Sequence, residues 1–228
     1  INIVQKYVSK YQSEKIVIKY GGNVLIDRNV FNNFISDINV LNKLGLSIIV
    51  VHGGGPRIKR ELDKKNIISK FINGLRVTDK SIIDIVEKVL IDFNKDIVNS
   101  LNKLGCEAIS FHTQQNNTID VEPDKEELGF VGIPKKININ LIESSLNENK
   151  IPIIAPLGKG KNNQTFNING DTAASAIAKK LKSRRLILMT NVEGVYDDKK
   201  NLISEIKPLD LENLIKWKIV EGGMIPKI

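Results

Sequence analysis

Lysines and glycines follow the strand-like segments of this chain, and both residue types suit the binding of a phosphoryl group. Lys19, Gly21 and Gly22 follow one apolar run, and three consecutive glycines, residues 53–55, follow the next. A further glycine pair precedes Lys227. Glycine leaves backbone N–H groups open to a bulky anion, because it has no Cβ. Lysines and bare amides around one cleft would suit phosphoryl transfer.

The scaffold that must hold these residues alternates between strand-like and helix-like segments. Strands are predicted over residues 16–19, 47–51, 108–111, 151–155, 165–168 and 185–189, and apolar residues recur at helical spacing between most of them. This order predicts an α/β fold, a three-layer αβα sandwich with a mostly parallel central sheet. In such sheets ligands bind at the carboxyl ends of the strands, where the lysine and glycine motifs fall.

Several short signals predict local structure. Asn73-Gly74 predicts a tight hairpin. Thr78 is the expected N-cap of a long helix that ends at Gly105, and Asp171 is the expected N-cap of an Ala-rich helix that runs to about residue 181. Residues 113–136 are predicted to form hairpin and loop, and residues 158–164 a flexible loop.

Composition narrows the class of protein. The 228 residues carry a formal net charge of +8, one cysteine, Cys106, and two histidines, His52 and His112. An internal disulfide is excluded and a structural zinc site lacks ligands, so a cytoplasmic location is expected. Scattered lysines argue against nucleic-acid binding and favour an anionic small substrate. No apolar run approaches the roughly 20 residues of a membrane helix, and P-loop, G-x-G-x-x-G and protein-kinase motifs are absent.

Seven segments together resemble the amino-acid kinase superfamily, and within it the acetylglutamate kinases. Their order and spacing match along essentially the whole chain. Glutamate 5-kinases, aspartokinases and uridylate kinases share some of them, whereas Asn-Gly-Leu-Arg-Val-Thr and Gly-Gly-Met-Ile-Pro-Lys favour the acetylglutamate enzymes. The segments are Ile16–Asn23, Val51–Pro56, Asn73–Asp79, Gly129–Gly132, Phe166–Ala174, Leu188–Val195 and Gly222–Lys227.

The resemblance implies an amino-acid kinase-like fold and a reaction of arginine biosynthesis. The γ-phosphoryl group of ATP would move to the side-chain carboxylate of N-acetyl-L-glutamate and give an acyl phosphate. Because that nucleophile is already ionised, no general base is needed, and catalysis reduces to alignment and charge neutralisation. Mg²⁺ would bridge the ATP phosphates, and no direct protein ligand of the metal is assigned.

The resemblance also implies roles for individual residues. Lys19 would contact the transferring phosphoryl group, Lys227 would act on the leaving-phosphate side, and Asp171 would hold both lysines. Arg76 would clamp the α-carboxylate of the substrate through its planar fork, with Asn167 as its partner.

Two further sets follow from the same resemblance. Amides for the phosphoryl group and the substrate would come from Gly21, Gly22, Gly54 and Gly55, although tight turns would need the same glycines. The nucleotide would be bordered by Thr190, Asn191, Val192, Gly194, Val195, Tyr196, Ile219, Val220 and Glu221. His52 and Cys106 are interpreted as structural.

The expected organisation is a single amino-acid kinase domain over residues 1–228, with a substrate lobe over about 1–182 and an incomplete nucleotide lobe over about 183–228. The first residue, isoleucine, and the end just after Lys227 make the chain look like a fragment, which we expect to have little activity by itself. Gly170 stands where alanine is more usual in the family.

An apolar face formed by Val4, Tyr7, Val8 and Tyr11 predicts an amphipathic N-terminal helix. It resembles the helix that links dimers into ring hexamers in arginine-inhibited acetylglutamate kinases, so a homo-oligomer and feedback inhibition by arginine are expected. A helix packed on its own domain is the alternative. For function, the alternatives are another amino-acid kinase such as glutamate 5-kinase, or a regulatory module that binds an amino acid or a nucleotide without turnover.

Overall fold

A computed structural model describes residues 2–12, 14–21, 27–190, 192–220, 224 and 227, with the backbone alone for residues 2–5 and 7. The strands are β1 Lys15–Tyr20, β2 Ser47–His52, β3 Phe71–Ile72, β4 Leu75–Arg76, β5 Ala108–Phe111, β6 Ile119–Pro123, β7 Gly132–Ile137, β8 Ile151–Ile154, β9 Leu157–Lys159, β10 Thr165–Asn167 and β11 Arg185–Met189. The helices are α1 Asn2–Tyr11, α2 Arg28–Lys43, α3 Gly55–Lys64, α4 Lys80–Lys103, α5 Ile139–Asn147, α6 Gly170–Leu181 and α7 Leu211–Lys216.

Five strands form the central sheet in the order β11-β1-β2-β8-β5, and every pairing in it is parallel. Alternate side chains point to opposite faces of a strand. Ile16 and Ile18 of β1 therefore pack with α2 and α4, whereas Val17 packs with α6 on the other face. Helices thus cover both faces, which confirms the predicted α/β sandwich. Lys19 has the same parity as Val17 and so faces α6.

A second sheet has the order β10-β9-β6-β7, and β3 and β4 form a separate hairpin. The antiparallel pair β6 and β7 confirms the hairpin predicted within residues 113–136. The flexible loop predicted over residues 158–164 is wrong, because β9 pairs with β10 and a 3₁₀ turn joins them. A Cβ on Gly158 would lie 2.5 Å from Val121 Cγ1, so this glycine permits close packing instead of flexibility.

Tight turns follow the sequence signals closely. Asn73 and Gly74 both have positive φ angles, 49° and 80°, which confirms the hairpin and matches a turn that needs φ > 0 at both central residues. Gly45 and Gly105, which follow α2 and α4, also have positive φ angles, 79° and 84°. These positions favour glycine because a Cβ is strained there.

Both predicted N-caps are wrong, by one residue in α4 and by two in α6. Asp79, not Thr78, caps α4, and its carboxylate accepts from the N–H groups of the first turn. Asn169, not Asp171, caps α6, since its side-chain oxygen accepts from the amides of Asp171 at 2.9 Å and Thr172 at 3.0 Å. Only one side chain fills the capping position, and this arrangement leaves the Asp171 carboxylate available for other partners.

The N-terminal segment forms a helix, α1, as predicted, and the partly buried Tyr11 packs against the core formed with α2 and α4. The side chains of Val4 and Tyr7, which belong to the predicted apolar face, lie outside the described residues. Among the helices of the described ranges, none combines the length and the apolar character that crossing a bilayer requires.

Candidate active site

Lys19, Asp171 and Lys227 form a buried group of charges at the carboxyl edge of the central sheet. Lys19 Nζ lies 2.9 Å from Asp171 Oδ1, and Lys227 Nζ lies 2.6 Å from Asp171 Oδ2. The Asp171 side chain is 5% exposed and the two lysine side chains are 9% and 19% exposed. Among the described residues, two ammonium groups share the Asp171 carboxylate, so this part of the cleft carries more positive than negative charge. The first turn of α6, where Asp171 lies, also favours a negative side chain.

Gly21 makes room for the Lys19 side chain. A Cβ on Gly21 would lie 2.3 Å from Lys19 Nζ and 2.5 Å from Lys19 Cε. The Lys19 ammonium can therefore occupy this position only because Gly21 has no side chain. Gly22 lies outside the described residues.

The second glycine motif, Gly53–Gly55, lines the same cleft and forms its glycine wall. Gly54 precedes α3 and Gly55 begins it, so their N–H groups belong to the unpaired donors of a helix N-terminus. Within the described ranges, no acceptor is recorded for either amide. The N-terminus of a helix with free amides is favourable for an anion.

Arg76 brings a third cation to the cleft. The residue is 8% exposed, and its guanidinium lies 4.7 Å from the centroid of the Phe71 ring. It donates to Ser69 Oγ and, at 3.3 Å, to the carbonyl of Gly55. Burial lowers the pKa of Arg76, although nearby Asp63 acts in the opposite direction. Among the described residues no carboxylate lies within 4.0 Å of this guanidinium.

A buried cation without a carboxylate nearby costs free energy, because the protein interior solvates charge poorly. The arrangement around Arg76 therefore favours an anionic ligand in the cleft. The hydrogen bond to Ser69 and the aromatic contact hold the guanidinium in place before any ligand arrives.

Asn167 lines the same cleft from β10. Its N–H donates to the carbonyl of Phe130 at 2.9 Å, and its Nδ2 donates to Thr78 Oγ1 at 3.3 Å. The cleft encloses about 190 Å³, below the roughly 300–1,000 Å³ typical of sites for drug-sized ligands. It therefore suits a small metabolite. Its apolar wall includes Ile58, Phe71, Leu75, Leu90, Val131 and Ile168.

The residues predicted to border the nucleotide lie in a separate segment. Thr190 follows β11 directly, and Met189 at the end of β11 pairs with Tyr20 of β1, so this segment begins at the carboxyl end of β1, just beyond Lys19. The N–H groups of Ile219 and Val220 donate to the carbonyl of Leu214. Asn191 and Glu221 lie outside the described residues.

The other members of this set are partly exposed or packed locally. Tyr196 pairs with Leu202 in an isolated bridge and its hydroxyl donates to Glu193 at 3.2 Å, while Val192 is exposed. A Cβ on Gly194 would lie 2.9 Å from Leu202. None of the described members of the set lines the cleft around Lys19 and Arg76.

Sequence reasoning missed four residues that support the site. Ser69 and Phe71 hold the Arg76 guanidinium, Thr78 holds Asn167, and Asn169 caps α6 and lines the cleft. The signal for Asn169 is visible, since asparagine is a strong N-cap residue directly before the Ala-rich helix. No comparable local signal marks Ser69, because its contact depends on the hairpin geometry.

Cys106 has no role in this cleft. Its thiol is buried and donates to Asn39 Oδ1 at 3.2 Å, and burial raises its pKa, which disfavours the reactive thiolate. The described residues also contain no group of three or more His, Cys, Asp or Glu side chains that could hold a metal ion. Both oxygens of Asp171 face lysine ammonium groups. The described residues therefore do not fit a resident metal ion.

Comparisons with known proteins agree over most of the chain. A model of the amino acid kinase family matches residues 14–228. The acetylglutamate kinase of Pelagibacter ubique is 53% identical over 225 residues, which are 99% of this chain and 78% of that protein. The acetylglutamate kinase of Clostridioides difficile is 44% identical, over 97% of this chain and 79% of that protein. The crystal structure of smu.665 from Streptococcus mutans has a TM-score of 0.83 at 33% identity, and the match covers 93% of this chain and 86% of that one.

Proposed function

The chain belongs to the amino acid kinase family and to the acetylglutamate kinases within it, and we propose that it transfers the γ-phosphoryl group of ATP to the side-chain carboxylate of N-acetyl-L-glutamate. It is a phosphotransferase that uses ATP. The product is an acyl phosphate, and the reaction belongs to arginine biosynthesis.

The observation that carries this proposal is the pair of lysines held by one carboxylate at the edge of the cleft. A carboxylate nucleophile needs no base, so the protein has to align two anions and offset the charge between them. Lys19 is the proposed contact of the transferring group, and Lys227 the proposed contact on the leaving side. Asp171 is the proposed residue that holds the two ammonium groups in place.

The glycine wall complements the lysines. We assign the amides of Gly54 and Gly55 to the phosphoryl group and to the carboxylate that receives it. Their support is the location at the start of α3, with N–H groups that have no acceptor within the described ranges. Hydrogen-bond donors that already point to the place where charge develops in the transition state are a major source of rate enhancement.

Recognition of acetylglutamate is assigned to Arg76 and Asn167. The buried guanidinium, already oriented by Ser69 and Phe71, suits the α-carboxylate. Asn167 and the apolar wall suit the N-acetyl group, which has a polar amide and a methyl group. This combination favours acetylglutamate over unacetylated glutamate, whose α-ammonium group would lie near a cation.

ATP is proposed to occupy the side of the cleft towards the nucleotide lobe, about residues 183–228, of a single domain whose substrate lobe spans about 1–182. The support is the segment that begins at Thr190, at the carboxyl end of β11 and just beyond Lys19. Magnesium enters as part of its complex with ATP. The reaction is assigned to the cytoplasm.

The test is phosphoryl transfer from ATP to N-acetyl-L-glutamate, with the acyl phosphate trapped by hydroxylamine and ADP measured in parallel. We expect turnover of acetylglutamate well above that of glutamate, aspartate or UMP. Equal or faster turnover of one of these would assign the chain to another amino-acid kinase activity. Binding of both ligands without any ADP formation would support a regulatory module instead.

A homo-oligomer, a dimer or a ring hexamer, and feedback inhibition by arginine are also proposed. Their support is the presence of the helix α1 before β1. The contact of Tyr11 with the core of its own domain fits the alternative, a helix that only covers this core. Light scattering with and without residues 2–12, together with rates in the presence of arginine, tests this assignment. An unchanged oligomer and no inhibition by arginine would contradict it.

A further inference from the structure

The peptide between Gly53 and Gly54 is held from the buried side of the cleft. The Gly53 N–H donates to the carbonyl of Tyr20 at 2.7 Å, and the Gly53 carbonyl lies 2.9 Å from His52 Nδ1. In a planar trans peptide the carbonyl and the following N–H point in opposite directions. A Gly53 carbonyl turned towards the buried imidazole therefore turns the Gly54 N–H away from it, towards the cleft that Gly53 and Gly54 line.

His52 is fully buried, and its surroundings fix its tautomer. Asn94 Nδ2 lies 3.1 Å from His52 Nε2 and 2.8 Å from the carbonyl of Ile153 in β8. An amide nitrogen has two hydrogens, so it donates to both acceptors. Nε2 must then carry the lone pair and Nδ1 the proton, which is donated to the Gly53 carbonyl. Desolvation lowers the pKa of His52 to about 4, so the ring is neutral at neutral pH.

One face of α4 supports the whole arrangement. A Cβ on Gly54 would lie 2.5 Å from Leu90 Cδ2. The Phe93 ring meets the His52 ring edge to face, with centroids 5.1 Å apart and an angle of 81°. Asn94 follows directly, and it too is completely buried. Phe93 and Asn94 lie three and four residues after Leu90, so both share one side of the helix with it.

We propose that His52 and Asn94 are positioning residues, which hold the Gly53–Gly54 peptide so that the Gly54 N–H faces the transferring phosphoryl group before the substrates bind. The identity of that group rests on the proposed function. The hydrogen-bond chain runs from Ile153 through Asn94 and His52 to Gly53, and it ends at an amide with no recorded acceptor among the described residues. A donor fixed in this way need not reorganise during the reaction.

Two substitutions at His52 separate positioning from packing. His52→Asn places an amide nitrogen near the position of Nδ1 and keeps a donor for Gly53, whereas His52→Gln places its amide near Nε2 and loses that donor. We expect His52→Gln to lower kcat about 10- to 100-fold. Removal of a whole oxyanion donor costs about 10²- to 10³-fold, and here the Gly54 N–H is only less well oriented. KM for ATP and acetylglutamate should change little, and His52→Asn should recover most of kcat.

Ile97→Ala is the matched control, because Ile97 is buried on α4 one turn beyond Asn94 and packs in the core away from the cleft. It should lower the melting temperature and leave kcat within about threefold of the wild type, since Ile97 does not line the cleft. An equal loss of kcat in Ile97→Ala and His52→Gln at similar melting temperatures would overturn the proposal. So would a kcat of His52→Asn no higher than that of His52→Gln.

If these variants do not fold, a measurement on the wild-type protein still tests the proposal. The ¹⁵N chemical shifts of the His52 imidazole report which ring nitrogen carries the proton, and we expect Nδ1–H. A proton on Nε2 would overturn the proposed chain of hydrogen bonds. This result is independent of the substrate, so it is distinct from a failure of the wild type to phosphorylate acetylglutamate, which would refute the proposed function alone.

Discussion

Gly21→Ala should displace the Lys19 ammonium while leaving the fold intact. The added Cβ would lie 2.3 Å from Lys19 Nζ, whereas real Cβ contacts are essentially never shorter than 3.0 Å. The ammonium must therefore move by at least the 0.7 Å difference between these distances. The atom that must yield is the end of a flexible side chain, and Gly21 is outside the positive-φ region, so the cost in stability is small.

The effect on catalysis should be much larger than the effect on stability. Misplacing a reacting group by about 1 Å can cost on the order of 10²-fold in rate, or about 2.7 kcal/mol in the activation barrier. We expect kcat of Gly21→Ala to fall by about this factor. KM for acetylglutamate should change little, because Arg76 and Asn167 are not displaced.

The natural control is Gly170→Ala, at the first residue of α6. Its Cβ would lie 3.4 Å from Lys19 Cε, an ordinary contact, so the same lysine stays in place. The assay is the hydroxylamine trap at saturating ATP and acetylglutamate, with the melting temperature of each variant measured by circular dichroism. If kcat of Gly21→Ala stayed within threefold of the wild type, or if Gly170→Ala lost as much, the proposed dependence on the Lys19 position would be refuted.

Three further predictions concern the charges of the site. Asp171→Asn should lower kcat by about 10²- to 10³-fold in the hydroxylamine assay, because two ammonium groups lose the carboxylate that positions them; a normal kcat would contradict this role. Arg76→Lys should raise KM for acetylglutamate about 10-fold or more through loss of charged hydrogen bonds, whereas Arg60→Lys, at an exposed arginine near the cleft, should not; equal KM values in the two variants would rule out the clamp. The folded-state pKa of His52 is about 4, below its ordinary value of 6.5, so its neutral form contributes stability that is present above pH 6.5 and is lost as the pH falls towards 4. Urea unfolding should show that the free energy of unfolding of the wild type falls by about 3 kcal/mol between these pH values, and that His52→Asn lacks this fall. If the free energy of unfolding changed with pH in the same way in both proteins, the buried neutral ring would be contradicted.

The sequence predicts the sheet and its two faces well, because these depend on local periodicity. The alternation in Ile16–Lys19 already implies that Lys19 and Val17 share a face. The Asn73-Gly74 turn is equally local, since both residues tolerate the positive φ angles that the hairpin needs. Such features are determined within a few residues.

The errors arise where distant residues decide between equal local choices. Asn169 and Asp171 are both good N-cap residues, and the choice depends on Lys19 and Lys227, which approach Asp171 from other parts of the chain. Gly158 looks like part of a mobile loop in the sequence, but Val121 on β6 needs the space that a side chain would take. The support of Arg76 by Phe71 is likewise a product of strand pairing.

The excess of cations at the cleft has a thermodynamic consequence for the substrate-free protein. Within the described residues, Lys19 and Lys227 share the carboxylate of Asp171 and Arg76 lines the same cleft, and the mutual repulsion of these three cations opposes folding. A site prepared for anions in this way sacrifices part of the stability of the empty protein. Each anionic substrate returns that free energy when it binds, so affinity and resistance to heat are linked through the same charges.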